Sequence, residues 1–335
     1  MKMKAFFSKL KDIRLNRWQR ILLIIVLAGI VISAPYIIED NYVLHILILC
    51  GIYVCLTLSL NLIIGWSGQF SLGHVCFYGM GAYITTLLIT QQNMGFFQAT
   101  LLSTLLTSIF AMLLCLPTLK LRGDYLAVIT LGFGEVFRLF LTNAVDLTKG
   151  PAGIPNIPDP VLFGFEISSK QAYFYFIAIV VAVFLFFMKR FNNSGFGMAM
   201  MVVNEDDIAA TALGINVVKY KLWGFVIGGG MAAMIGSFYA VYMGMISPTS
   251  FAYAESIKMV SMVVLGGMGS IPGSVLGAVL LTALPEVLRS FSEYRMVVYG
   301  ALMVIMMIFR PEGIWARSNR MLNEYKIRAF ESVKK

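Results

Sequence analysis

Charged residues are scarce in this chain of 335 residues. Aspartate, glutamate, lysine and arginine together make up 13% of the chain, whereas a soluble globular chain carries about 25%. Hydrophobic residues make up 59%, and the mean hydropathy of +0.82 reflects long uninterrupted apolar runs. Disordered, collagen-like and disulfide-rich secreted chains have other compositions, so these classes are excluded. The composition indicates an integral membrane protein, whose surface contacts mainly lipid.

Residues that bind metals or perform catalysis are also few. The chain has 2 histidines and 4 cysteines, and the cysteines lie in apolar runs without metal-site spacing. No glycine precedes a lysine, so a GxxxxGK[ST] nucleotide loop is absent, and neither HExxH nor GxSxG occurs. We therefore expect no cofactor, no metal and no enzyme active site, which disfavours an intramembrane enzyme. The cysteines are expected to be small buried side chains: Cys50, Cys55, Cys76 and Cys115.

The apolar runs predict an all-α polytopic membrane protein with about ten transmembrane helices. A spanning helix needs about 20 mostly apolar residues. The run at 259–288 contains several glycines and Pro272, so we divide it near residue 268. Eight spans are the alternative, if this run crosses once and the short run at 296–309 does not cross. The ten runs are 21–38, 42–64, 75–90, 96–117, 125–142, 172–188, 222–246, 259–268, 271–288 and 296–309.

Basic residues predict the orientation of these spans. Twenty of the 26 lysines and arginines fall into four segments, and basic loops face the cytoplasm. Both termini are then cytoplasmic and the number of spans is even. The net charge of +9 is thus a topology signal, and nucleic-acid binding is not expected. The predicted parts are a basic N-terminus (1–20), one transmembrane domain (21–309) with an external loop (143–171) and a cytoplasmic loop (189–221), and a basic tail (310–335).

The cytoplasmic loop contains a short helix signal at 204–214. Asn204 can cap the helix, acids follow in its first turn, and Gly214 can stop it. The resulting three turns are too short to span, and a shallow apolar face suits a groove on a partner. A helix on the lipid boundary is the alternative, although that usually has basic and bulky aromatic residues. The residues of this candidate surface are Asn204, Glu205, Asp206, Asp207, Ile208, Ala209, Ala210, Leu213 and Gly214.

Small residues predict close helix packing, either within the chain or with another subunit. Glycine or alanine recurs every fourth residue from Gly228 to Gly244, which makes one small helix face. The interrupted run near Pro272 predicts irregular backbone, which at membrane depth is buried or lines a wet cavity. The candidate packing or pathway residues are Gly65, Gly68, Gly73, Gly228, Gly236, Gly266, Gly267, Gly269 and Gly273.

One pair of opposite charges lies inside a predicted span. Glu135 and Arg138 are three residues apart, so they share a helix face and are expected to form an intramembrane ion pair. No chain of acids and histidines runs through the interior, which disfavours a proton-driven pump.

Five motifs in order resemble the branched-chain amino acid ABC-transporter permeases, of the LivM-type subunit. They cover most of residues 42–316. The sequence departs from the usual family pattern before the acidic stretch, where Met198, Met201 and Val203 occupy a region that usually has basic residues, and at Thr148-Lys149-Gly150, where a glycine pair after the threonine is commoner. The motifs are GWSGQFSLGH (65–74) with FYGMGAY (77–83), LRGDY (121–125) with TLGFGE (130–135), NEDDIAA (204–210) with GIN (214–216), VLGGMGSIPG (264–273) and FRPEG (309–313).

The resemblance implies a permease subunit of an ATP-driven importer in the bacterial cytoplasmic (inner) membrane. Its implied partners are a sister permease, two cytoplasmic ABC ATPases, an extracytoplasmic solute-binding protein and the lipid bilayer. The helix at 204–214 would then be the ATPase-coupling helix. The implied cargo is a branched-chain amino acid, with urea or a short amide as the alternative. A stand-alone secondary transporter is a further alternative.

Overall fold

The computed structural model describes residues 29, 33–35, 40–119, 121, 123–162, 164–287, 300–301, 304, 308–310 and 313–315. The predicted spans at 21–38 and 296–309 and both predicted basic termini lie wholly or largely outside these residues. The number of spans and the cytoplasmic position of the termini therefore stay predictions.

Long helices dominate the described part of the chain. Five helical stretches there are long and apolar enough to cross a membrane: Asn41–Trp66, Phe96–Thr118, Asp124–Asn143, Lys170–Asn192 and Val217–Met243. The chain is therefore a largely helical, multi-pass membrane protein. The helices are α1 (Asn41–Asn61), α2 (His74–Gln92), α3 (Phe96–Thr118), α4 (Asp124–Asn143), α5 (Val145–Thr148), α6 (Lys170–Asn192), α7 (Gly195–Glu205), α8 (Asp207–Ala212), α9 (Val217–Met243), α10 (Tyr253–Gly266) and α11 (Ile271–Val287).

The loop predicted at 143–171 contains a small hairpin. After α5 come a 3₁₀ turn, Gly150–Ala152, and two antiparallel two-residue strands, β1 (Val161–Leu162) and β2 (Phe165–Glu166). Ile154 also exchanges backbone hydrogen bonds of 2.9 and 3.1 Å with Ile246, beyond the end of α9. This short sheet is an addition to the predicted all-α fold.

Helix α9 is the centre of the bundle, and its small residues face neighbours in the same chain. A Cβ built on Gly228 would lie 2.6 Å from the Ile63 side chain, just beyond α1. A Cβ on Gly236 would lie 2.0 Å from the Tyr78 carbonyl oxygen of α2. The close approach ends at Gly244, where φ is +67° and the helix stops. Close packing inside one subunit therefore explains this stripe.

Replacing Gly236 with alanine is expected to destabilise the protein by about 3 kcal/mol, because the new methyl group would meet rigid backbone. The matched control is Gly132→Ala in α4, where nothing lies within 4 Å of the added Cβ. That change should be neutral or stabilising by up to about 1 kcal/mol. Thermal unfolding in detergent measures both, and equal stabilities would contradict the close approach of α2 and α9.

Helices α10 and α11 form a tight antiparallel hairpin. The non-helical residues between them, 267–270, are the predicted interruption of this run and are called the break below. A Cβ on Gly266 would lie 2.2 Å from Gly273 O, and one on Gly277 would lie 2.2 Å from Met262 O. Between the helices, Gly267 adopts φ +115°, a conformation that L side chains rarely adopt. The glycines of this motif therefore allow both the turn and the close contact of its two arms.

Helix α10 runs alongside α1 but begins beside its middle. Tyr53 OH donates to Glu255 Oε2 at 2.8 Å near the start of α10, while Asn61 accepts from Gly269 just after its end. With 14 residues, α10 is about 21 Å long, shorter than a hydrocarbon core of about 30 Å. The first turn of α10 therefore lies beside the middle of α1 and not beside either of its ends.

Candidate functional site: an exposed helix linked to a helix break

The end of α1 lies against the break between α10 and α11. The helix widens there into a π-helical turn, Leu62–Trp66, and Ser67 N donates to Leu62 O at 3.2 Å. Gly65 on this turn is in tight contact, since an added Cβ would lie 2.2 Å from Gly269 N. Such π turns often occur at functional sites. This π-helical turn places Gly65, the first residue of the GWSGQFSLGH motif, against Gly269 of the VLGGMGSIPG motif.

Asn61 and Trp66 hold the backbone of the break. Asn61 Oδ1 accepts from Gly269 N at 2.7 Å, and its Nδ2 donates to Ser270 O at 3.3 Å. Trp66 Nε1 donates to Gly269 O at 3.1 Å. Irregular backbone inside a membrane protein needs such partners because lipid offers none. The sequence reasoning missed Asn61, although a lone amide at the end of an apolar run was the available signal.

The segment at 313–315 covers the other side of the break. Ile314 N donates to Leu265 O at 2.8 Å, and Trp315 N donates to Gly266 O at 3.0 Å. These bonds take up carbonyls at the end of α10, which an α-helix leaves unpaired. The break, the residues that follow the FRPEG motif and the end of α1 thus pack together as one structural unit.

Asn204 connects α7 to the same unit. Its Nδ2 donates to Gly65 O at 2.9 Å. Gly68 lies beside it, because an added Cβ there would come within 2.4 Å of Asn204 Oδ1. The side chain predicted to cap a helix therefore binds a carbonyl that the wide turn of α1 leaves accessible.

The helix predicted at 204–214 is two helices, so its predicted cap at Asn204 is wrong. Asp206 is extended, with φ −158° and ψ 112°, and separates α7 from α8. Its Oδ1 accepts from Ile208 N at 2.8 Å and Ala209 N at 3.1 Å, which makes Asp206 the cap of α8. Glu205 is the last residue of α7. Helix α8 consequently has 6 residues.

The end of α8 follows the prediction for Gly214, whose φ is +77°. Gly214 N donates to Thr211 O at 2.9 Å, and Ile215 N donates to Ala210 O at 3.0 Å. These two bonds form a Schellman motif, the common glycine-dependent helix end. Both ends of this short helix are therefore fixed by its own sequence.

One face of α8 packs on the bundle and the other is exposed. Ala210 is fully buried, and Asp207 forms an ion pair of 2.6 Å with Lys221 of α9. Ile208 and Leu213 are 74% and 73% exposed. The structure therefore presents two exposed apolar side chains, one on this anchored helix and one at the residue directly after it.

The chain between α1 and α2 reaches α4 and the start of α10. A Cβ on Gly73 would lie 2.3 Å from Thr130 O, and Leu72 N donates to Thr130 Oγ1 at 3.0 Å. Ser256 Oγ donates to Leu72 O. The start of α10 and the middle of α4 are thus joined through one extended segment.

Glu135 and Arg138 of α4 form the ion pair that their spacing predicts. Arg138 Nε and Nη2 each lie 2.9 Å from Glu135 Oε2. The two side chains are 31% and 32% exposed, and they line an open cleft beside the start of α10. Opposite charges reduce the cost of placing these groups inside a membrane span.

A second polar cluster lies between α1 and α10 and was not predicted. Lys258 Nζ lies 3.9 Å from Glu255 Oε2 and 3.9 Å from the centre of the Tyr53 ring. The prediction began this span at residue 259, so these charges were placed outside it. Their spacing of three residues, continuous with the apolar run, was the missed signal.

Metal-ligating side chains do not gather in the ranges that the structure describes. The four cysteines are buried free thiols. Each histidine has a separate partner: His74 Nε2 lies 2.8 Å from Ser59 Oγ, and His45 Nδ1 lies 2.5 Å from Tyr242 OH. His74 Nδ1 is buried and has no hydrogen-bond partner among the described residues.

Comparison with known proteins identifies the family. Residues 42–307 match the family model described as branched-chain amino acid transport system / permease component. The chain belongs to this family. The match contains the break, the exposed helix α8 and the Glu135–Arg138 ion pair, so the candidate site lies within the matched region except for the segment at 313–315.

Named permeases are similar over most of the chain. LivM of Salmonella typhimurium, a high-affinity branched-chain amino acid transport system permease protein, is 38% identical over 316 residues, covering 88% of this chain and 74% of the relative. LivM of Escherichia coli is 37% identical with the same coverage. LivH of Salmonella typhimurium is 25% identical over 79% of this chain and 91% of its own length. No solved structure matches.

Proposed function

We propose that this chain is the LivM-type permease subunit of an ATP-driven importer of branched-chain amino acids in a bacterial cytoplasmic membrane. It would form the translocation pathway with a sister permease, powered by two cytoplasmic ABC ATPases and supplied by an extracytoplasmic binding protein. The observation that carries the proposal is family membership across residues 42–307, with 38% identity to a permease named LivM. These relatives favour branched-chain amino acids over urea or short amides.

The exposed face of α8 supports docking of an ATPase. Ile208 and Leu213 project from a helix that Ala210 and the Asp207–Lys221 ion pair anchor to the bundle. Apolar side chains on a short helix suit a groove on a partner protein. A lipid-boundary helix would instead carry basic and bulky aromatic residues, and α8 has the sequence DIAATA. In this proposal, α8 faces the cytoplasm.

The contacts between α8 and the break support a route for the motion. From α8, the chain passes through Asp206 into α7, where Asn204 binds Gly65 O. Gly65 in turn contacts Gly269 at the break. Movement of the ATPases would shift α8, α7 and the α10–α11 hairpin together, which fits a two-state change of the permease pair.

Purification and reconstitution test the proposed function. The permease pair should copurify with the ATPases, and the complete complex in proteoliposomes should take up leucine only with ATP and loaded binding protein. The purified chain alone should not hydrolyse ATP. Leucine flux driven by an ion gradient in liposomes containing only this chain would instead establish a secondary transporter and refute the proposal.

Replacing Asn204 with alanine is expected to lower the amount of leucine imported per ATP by about fivefold to tenfold. The variant loses one hydrogen bond to the wide turn of α1, a contact worth about 1 kcal/mol or slightly more. The matched control is Asn193→Ala, because Asn193 is exposed beyond the end of α6. Both variants should keep ATP hydrolysis. Wild-type import per ATP in Asn204→Ala would contradict the proposed route.

A further inference from the structure

The cleft beside the ion pair of α4 has the features of a ligand site. Its volume is about 510 Å³. Glu135 and Arg138 contribute charged groups to it, and Leu131 contributes an apolar side chain. The start of α10 forms the opposite wall through Ala252, Tyr253 and Ala254. Charged, apolar and aromatic groups therefore face one open cleft between α4 and the start of α10.

The ion pair retains hydrogen-bonding capacity for a ligand. Both contacts from Arg138 go to Oε2 of Glu135. Within the described residues, Glu135 Oε1 and Arg138 Nη1 have no hydrogen-bond partner. An acceptor and a donor of opposite charge therefore remain available side by side.

The opposite wall adds a second group that favours an anion. Glu255 N donates to Ala252 O at 2.9 Å. Helix α10 has no side-chain cap at Ala252, so the N–H groups of Tyr253 and Ala254 stay open. The beginning of a helix carries partial positive charge. Helix α10 starts beside the middle of α1, and Tyr253 in its first turn is 43% exposed, so a ligand in the cleft can reach this end of the helix.

We propose that this cleft is a transient binding site for the zwitterionic head group of the transported amino acid, a proposal that rests on the proposed function. The carboxylate of the amino acid binds Arg138 and the first turn of α10, and its ammonium group binds Glu135 Oε1. Both charged groups of an α-amino acid are attached to one carbon, so one ion pair can bind both. Leu131 and Tyr253 contact the apolar side chain.

Neutral substitutions in the complete reconstituted importer test this assignment. Glu135→Gln, Arg138→Gln and the double variant should each lower leucine uptake per ATP by about tenfold to a hundredfold, because each removes a charge-assisted hydrogen bond to the cargo. ATP hydrolysis stimulated by the binding protein should persist. Val136→Ala is the control on the same helix, since Val136 is 64% exposed, does not line the cleft and is replaced without adding a polar group.

The double variant separates cargo binding from a purely structural ion pair. If the pair only stabilised α4, neutralising both partners would leave no unpaired charge and would restore uptake nearly to the wild-type value. That recovery would overturn the proposal. Loss of the sister permease from the purified double variant would overturn it as well, because the cleft would then be a subunit contact.

Photolabelling provides a measurement that does not depend on transport. A leucine analogue carrying a diazirine, added to the vanadate-trapped wild-type complex, should label Leu131 and Tyr253, and the double variant should lose this label. Labelling only elsewhere would refute the site. Failure of the wild-type complex to import leucine would refute the proposed function, whereas normal wild-type import with unaffected variants would refute only this inference.

Discussion

Replacing both Ile208 and Leu213 with aspartate is expected to abolish import and the copurification of the ATPases. The two side chains are 74% and 73% exposed, so the change should leave the fold intact. Central contact residues at protein interfaces contribute about 2 kcal/mol or more each. Losing two of them lowers affinity by about a thousandfold, since 1.4 kcal/mol corresponds to tenfold. Pull-down of the ATPases and uptake into proteoliposomes measure the two effects.

The control for this variant keeps the surface apolar. Ile208→Met combined with Leu213→Met should bind the ATPases within about threefold of wild type, because methionine adapts to apolar grooves. A large residue at Ala210 would be a poorer probe, because Ala210 is fully buried and its replacement would disturb packing inside the chain. Full ATPase binding by the double aspartate variant would show that α8 is not the docking element.

Replacing Gly65 with alanine should produce the largest loss of stability, about 4 kcal/mol or more. The added methyl group would lie 2.2 Å from both Gly269 N and Asn61 Oδ1, two atoms that are hydrogen-bonded to each other. Neither atom can move without breaking that bond. Import should fall with the amount of folded protein, which size-exclusion chromatography and thermal unfolding in detergent quantify.

Gly195→Ala is the matched control for this change. Gly195 begins α7, and nothing lies within 4 Å of a Cβ built there. This variant should retain wild-type stability and import. A stable Gly65→Ala protein with normal import would show that the end of α1 and the break do not pack as closely as the structure indicates.

Hydropathy alone predicts several helices well because it is a local property of the sequence. The run predicted at 96–117 corresponds to Phe96–Thr118, and that at 125–142 corresponds to Asp124–Asn143. The division of the run at 259–288 is also reproduced, because glycines and Pro272 interrupt it. In these cases the residues that decide the structure lie inside the element itself.

Contacts between distant parts of the chain could not be predicted in this way. Asn61 and Gly269 are 208 residues apart, and no local pattern pairs them. The same limit explains the misplaced helix cap. Asn204 and Asp206 are both good caps, but Asn204 is occupied by its bond to Gly65, so Asp206 performs the capping.

Only Asp206 separates α7 from α8. The two helices can therefore change their relative orientation only at Asp206. The side chain of Asp206 is itself hydrogen-bonded to the first turn of α8. A longer linker would let α8 move without an equal movement of α7. In the proposed coupling route, displacement of α8 is passed to α7 through this one residue, so inserting flexible residues here should lower leucine import per ATP while binding of the ATPases to α8 persists.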